Sequence, residues 1–132
     1  MRWILLVGGV LGFLSVVIGA SAEHALRPRV DDEVFRYLMT AVRYHQLGAL
    51  MTVVLGLATL YAPEARLQRA LALSAWAFVA GTVLFSFSIY ASAVLGAPAL
   101  TLLTPVGGTV LMVAWALLAR AGWIGARRGP QH

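Results

Sequence analysis

Four long apolar stretches separated by short polar breaks organise the chain. The first runs from about Trp3 to Ala22, the second from Tyr37 to Tyr61, the third from Leu71 to Leu95 and the fourth from Pro105 to Trp123. A helix of roughly 20 apolar residues crosses a bilayer core, and each stretch is close to that length. Inside lipid no water is available for backbone groups, so each stretch must be helical. The pattern predicts an all-α fold. It is an integral membrane, up-down bundle of four transmembrane helices, one domain over 1–132 with a short basic tail at 124–132.

The breaks carry the expected punctuation. In RPRVDDEVF, Pro28 precedes Asp31 and Asp32, two N-cap candidates for a long second helix. In YAPEAR, Pro63 ends that helix and Glu64 opens the third near its positive dipole end. In LTPVGG, Thr104 is read as a cap and Pro105 as the first helical position of the last helix.

Composition sharpens this picture. The 132 residues are 61% hydrophobic and 11% charged, far more apolar than a soluble domain. The mean hydropathy is +0.84. There is no cysteine, which excludes disulfides and thiolate metal sites. The net charge of +5 comes from arginines scattered around apolar segments. That distribution suits orientation against anionic lipid rather than nucleic-acid binding.

Arg2, Arg66, Arg69, Arg120, Arg127 and Arg128 fall on the side of the termini, against Arg27, Arg29, Arg36 and Arg43 on the other. The count of six against four predicts cytoplasmic termini. Trp3, Tyr61 and Trp123 then form one interfacial belt.

Each helix also has a seam of small residues, the feature that lets backbones approach in lipid. At about 100° per residue, Gly8, Gly12, Ser15, Gly19 and Ala22 share one face of the first helix. The second groups Ala41, His45, Gly48 and Thr52, the third Ser74, Gly81, Ser88 and Ser92, and the fourth Gly107, Ala114, Ala121 and Gly125. The segment Ala20-Ser21-Ala22 has the form of a signal-peptide cleavage site. A signal peptide needs an apolar run rather than a patterned seam, so the first helix is expected to be retained.

Ionisable groups within membrane segments are functional candidates by default. Here they are Glu23, His24, Arg43 and His45. His45 shares the small seam and should face inward, while Arg43 lies nearly opposite and reaches the headgroups. Two readings stay open. Glu23, His24 and His45 form a proton relay or ligate a metal, or the cluster makes capping and interhelix bonds, for example Glu23 with Arg36 or Arg43. No metal-ligand spacing, nucleophile–base motif or phosphate loop supports a metal site, a cofactor or catalysis. His132 is read as an inert tail residue.

Several segments together resemble the domain-of-unknown-function 423 family. They are GASAEHAL (19–26), FRYLMTAVRYHQLGAL (35–50), GTVLFSFSIY (81–90) and TPVGGTVLMVAWALL (104–118). The family comprises small four-helix integral membrane proteins of bacteria, with a eukaryotic relative called transmembrane protein 256. The resemblance implies a retained first helix and an inner-membrane location, and it adds no reaction.

Two positions depart from the family pattern. Glu23 stands before His24 where alanine is usual, and Ser21 replaces an aromatic residue. The family's helix-two histidine falls at Gly48, one turn after His45, so no histidine role is carried over to helix two. The expected activity is non-enzymatic: an accessory, assembly or scaffold subunit that packs in the lipid bilayer with itself or with a larger membrane complex. The alternative is a small carrier or channel for protons, metal ions or lipid that uses the Glu/His cluster.

Overall fold

A computed structural model of the chain describes residues 2–128. Met1, residues 129–132 of the basic tail and the reading of His132 lie outside the described residues. Five α-helices account for most of the chain: α1 (Arg2–Ser21), α2 (Asp32–Tyr61), α3 (Ala65–Thr82), α4 (Ser88–Leu95) and α5 (Leu103–Ala126). Short π-helical segments follow α1 at Ala22–Leu26 and join α3 to α4 at Val83–Phe87. The third apolar stretch is therefore one rod, α3–α4, with a π turn inside it. No strand occurs among the described residues.

Three of the rods, Arg2–Arg29, Ala65–Leu95 and Pro98–Ala126, are long and apolar enough to cross a membrane. The fourth, α2, is the polar member, because it sits inside the row and carries the buried His45, Thr52 and Thr59. The chain thus folds as an all-α, up-down bundle of four membrane helices.

Local signals explain most boundaries. Asp31 caps α2 by accepting the Val34 N–H at 2.8 Å. Gly96 ends α4 in the left-handed conformation, φ 62°, which costs a glycine little. Glu64 precedes α3 and pairs with Arg128 of the C-terminal segment.

The expectation for Thr104 fails. A 3₁₀ turn, Pro98–Leu102, leads directly into α5, which starts at Leu103. Thr104 lies within the helix, and its hydroxyl is 2.7 Å from that of Ser88. The uncharged segment between α4 and α5 is largely helical because Pro98 starts this extra turn.

The rods pack in chain order. α1 lies against α2, α2 against α3–α4, and α3 against α5, with a lesser contact of α1 on α3. The bundle is an open row more than a closed ring. Its core joins Ile4, Leu55, Ala75, Phe78, Leu111 and Ala114.

The glycine seams set the spacing. A Cβ on Gly8 would lie 2.8 Å from the Val53 side chain, and one on Gly81 2.8 Å from Leu111. On Gly107 it would overlap the Phe85 backbone nitrogen. Gly19 meets Val42 at 3.3 Å.

Gly12 is looser than the seam suggests, with Ala49 at 4.0 Å. A further close approach lies in the first turn of α1, where a Cβ on Gly56 of α2 would meet Ile4 and Leu5 at 3.0–3.1 Å. Trp3, Tyr61 and Trp123 are all exposed at one end of the row, as an interfacial belt requires.

Candidate functional site

The polar centre of the molecule lies where α2 faces the π turn. His45 is fully buried on the inner face of α2, one turn from Gly48. Its Nδ1 lies 3.0 Å from the Tyr90 hydroxyl. The Phe87 ring stands perpendicular to the imidazole at a centroid distance of 5.2 Å.

The π turn is what presents these residues. One extra residue in a helix shifts the phase of everything after it and leaves carbonyls without their usual partners. One serine takes up that backbone and another ties the turn to α2. Ser88 Oγ donates to the Phe85 carbonyl at 2.8 Å, and Ser86 Oγ donates across to the Ala41 carbonyl of α2 at 2.8 Å. Farther along, Ser74 donates to the Ala114 carbonyl of α5 at 2.9 Å, and Gln68 to the Thr59 carbonyl of α2 at 2.9 Å.

Two buried atoms in this region have no hydrogen-bond partner among the described residues, His45 Nε2 and Thr82 Oγ1. Thr82 fits only because position 48 is glycine. A Cβ there would overlap the Thr82 hydroxyl.

The residues singled out from sequence do not meet at one point. His45 is sealed inside, as its seam position implied, and Arg43 is exposed on the other side of α2. Glu23 and His24 are exposed on the π segment that follows α1. Glu23 pairs with Arg27 at 3.4 Å rather than with Arg36 or Arg43. The π segment and 3₁₀ turn place Arg27 one turn beyond Glu23, and Arg27 also covers the Phe35 ring at 5.2 Å. Among the described residues no group of three metal-ligating side chains occurs.

A second feature escaped the sequence reading. Because the row is open, α2 and α5 are held apart by α3–α4, and a groove runs between them. It consists of two cavities of about 730 and 660 Å³ that share Pro105. The first lies at the end of the row where α2 begins and is lined by Arg29, Asp31, Tyr37, Ser92 and Thr101, among others. The second is apolar, between Tyr44 and Leu47 on one wall and Gly108 and Met112 on the other. Phe78 and Trp115, edge to face at 5.1 Å, lie at its far end.

Comparison with known proteins follows from this fold. The family model described as Protein of unknown function (DUF423) matches residues 18–108. The UPF0382 membrane protein YwdK of Bacillus subtilis is 30% identical over 122 residues, covering 92% of this chain and 96% of that protein. The UPF0382 inner membrane protein YgdD of Escherichia coli K12 is 30% identical over 131 residues, covering 99% and 97%. A UPF0382 membrane protein of Schizosaccharomyces pombe is 31% identical over 121 residues, covering 85% and 94%. No solved structure matches the chain.

Proposed function

The chain belongs to the DUF423 family of membrane proteins, and for this member we propose a non-enzymatic accessory or assembly role in the inner membrane. It packs there with a second copy or with a larger membrane complex. The observation that carries this reading is the use of the internal polar groups. His45 with Tyr90, Ser86, Ser74, Gln68, and Ser88 with Thr104 each tie one rod to another. Such bonds stabilise a fixed arrangement of helices. They do not converge on a shared space where a substrate would react.

The outward side of α1 supplies the docking face. α1 is buried on one side by α2 and presents Leu6, Val10, Phe13 and Val17 on the other. Gly9 on that exposed side has open space around it. Native mass spectrometry of the full chain, extracted from its own membrane in mild detergent, is expected to show a defined multiple or a complex with a second protein. A monomer there, with no product after crosslinking in the membrane before extraction, would rule the reading out.

A small carrier is the second reading, and the unpartnered His45 Nε2 and Thr82 Oγ1 are what favour it. It requires proton or metal flux in reconstituted vesicles that is lost in Glu23→Gln/His45→Ala. Unchanged flux removes it.

A further inference from the structure

We propose that the groove between α2 and α5 binds one zwitterionic glycerophospholipid, drawn from the leaflet at the end of the row where α2 begins. Three observations select this occupant. The first is length. The lined positions on α2 run from Val34 to Gly48, a rise of about 20 Å at 1.5 Å per residue. That is one leaflet with its headgroup layer, since a whole bilayer is roughly 40–45 Å. A partner's transmembrane helix would need a surface that continues across the core, whereas Phe78 and Trp115 line the far end of this groove at mid-membrane.

The second is the polarity gradient. The mouth lies at the end of the row opposite the Trp3, Tyr61 and Trp123 belt, so it sits at the other interface. Ser92, Thr101 and Thr104 line that mouth beside Arg29 and Asp31, with the Thr101 and Thr104 hydroxyls bonded to Pro98 and Ser88, and the deeper cavity is the more apolar of the two. This is the order of a phospholipid from headgroup to acyl chain.

The third is charge. Arg29 and Asp31 both line the mouth, and neither takes part in an ion pair among the described residues. A guanidinium suits a phosphate, and a carboxylate suits an ammonium group. Together they match a headgroup that carries both charges. The inference concerns a face distinct from the outward side of α1, so it stands apart from the accessory role.

The test uses the full chain in detergent micelles supplied with phosphatidylethanolamine and examined by native mass spectrometry. One bound phosphatidylethanolamine is expected on the unmodified chain. Gly108→Leu should lower its retention at least about fivefold, because a Cβ at Gly108 has room beside Phe85 at 3.8 Å and the rest of the side chain fills the groove. Leu47→Trp fills it from the opposite wall and provides the readout if Gly108→Leu loses helicity.

Arg29→Gln should weaken retention by at least about tenfold, the worth of a charge-assisted bond. Gly122→Leu lies in open space on α5 outside the groove and should retain the lipid. Phosphatidylglycerol and diacylglycerol, which lack the ammonium and the whole headgroup, should be held more weakly. Equal retention of either, or equal retention by both groove-filling variants, overturns the proposal. So does a polypeptide adduct, in place of lipid, that Gly108→Leu abolishes.

Discussion

At Gly107 the fold has no tolerance for a methyl group. The added Cβ would overlap the Phe85 backbone nitrogen and lie 2.7 Å from the Leu84 carbonyl carbon, and backbone cannot rotate away as a side chain does. Gly107→Ala is therefore expected to destabilise the protein by about 2–3 kcal/mol, the upper range for overpacking. Gly9→Ala, with nothing within 4 Å, should change stability by less than about 0.5 kcal/mol. Unfolding in mixed micelles separates the two, and equal midpoints would contradict the tight crossing.

The His45–Tyr90 contact at 3.0 Å gives a second residue-scale expectation. A double-mutant cycle with His45→Phe and Tyr90→Phe should show a favourable coupling of about 0.6–1.7 kcal/mol, the range for polar contacts between membrane helices. A coupling indistinguishable from zero would mean that the pair does not join the rods.

At the scale of elements, the π turn Val83–Phe87 is the feature on which the others depend. Deleting Val83, an exposed residue, should convert the turn to regular α-helix. It would also rotate α4 by about 100° against α3. Helix propensity improves, yet the Ser88–Thr104 and His45–Tyr90 contacts cannot both survive. The expected net effect is a loss of at least about 2 kcal/mol in the same unfolding assay. A deletion variant as stable as the parent would show that α4 is indifferent to its phase.

The π turn also explains what the sequence could and could not reveal. The inward position of His45 was readable, because Ala41, Gly48 and Thr52 share its face on a regular helix. Its partner was not. Tyr90 and the serines of LFSFSIYASA can hydrogen-bond across helices by residue type, but a wheel drawn at a constant 100° per residue carries a phase error past Thr82, so it does not assign Tyr90 and Ser86 to α2. The Gly8 and Gly107 approaches were readable as seams of small residues. The Gly56 approach was not, because it depends on where α1 begins along α2. Glu23 stood out by type alone, whereas its pairing with Arg27 depends on an irregular π and 3₁₀ segment that no repeat announces.

For the whole molecule, the arginine balance predicts that both ends of the chain lie on the cytoplasmic face. The absence of cysteine makes this directly measurable. Ala99→Cys, exposed on the turn before α5, should react with a membrane-impermeant thiol reagent added outside. Ala65→Cys, exposed at the start of α3, should react only after the membrane is permeabilised. The reverse pattern would invert the topology. The groove mouth would then open to the cytoplasmic leaflet, with its internal chemistry unchanged.

The packing order of the rods bears on how the protein is made. Because α1, α2, α3 and α5 neighbour one another in the order they are synthesised, each helix that follows α1 finds a neighbour to pack against already in the bilayer. The glycine contacts of Gly8 with Val53 and of Gly56 with Ile4 and Leu5 can close as soon as the first hairpin has been inserted. The polar ties follow the same order. The His45–Tyr90 contact forms only once the third rod has been inserted past the π turn, and the Ser74–Ala114 bond only once α5 has followed.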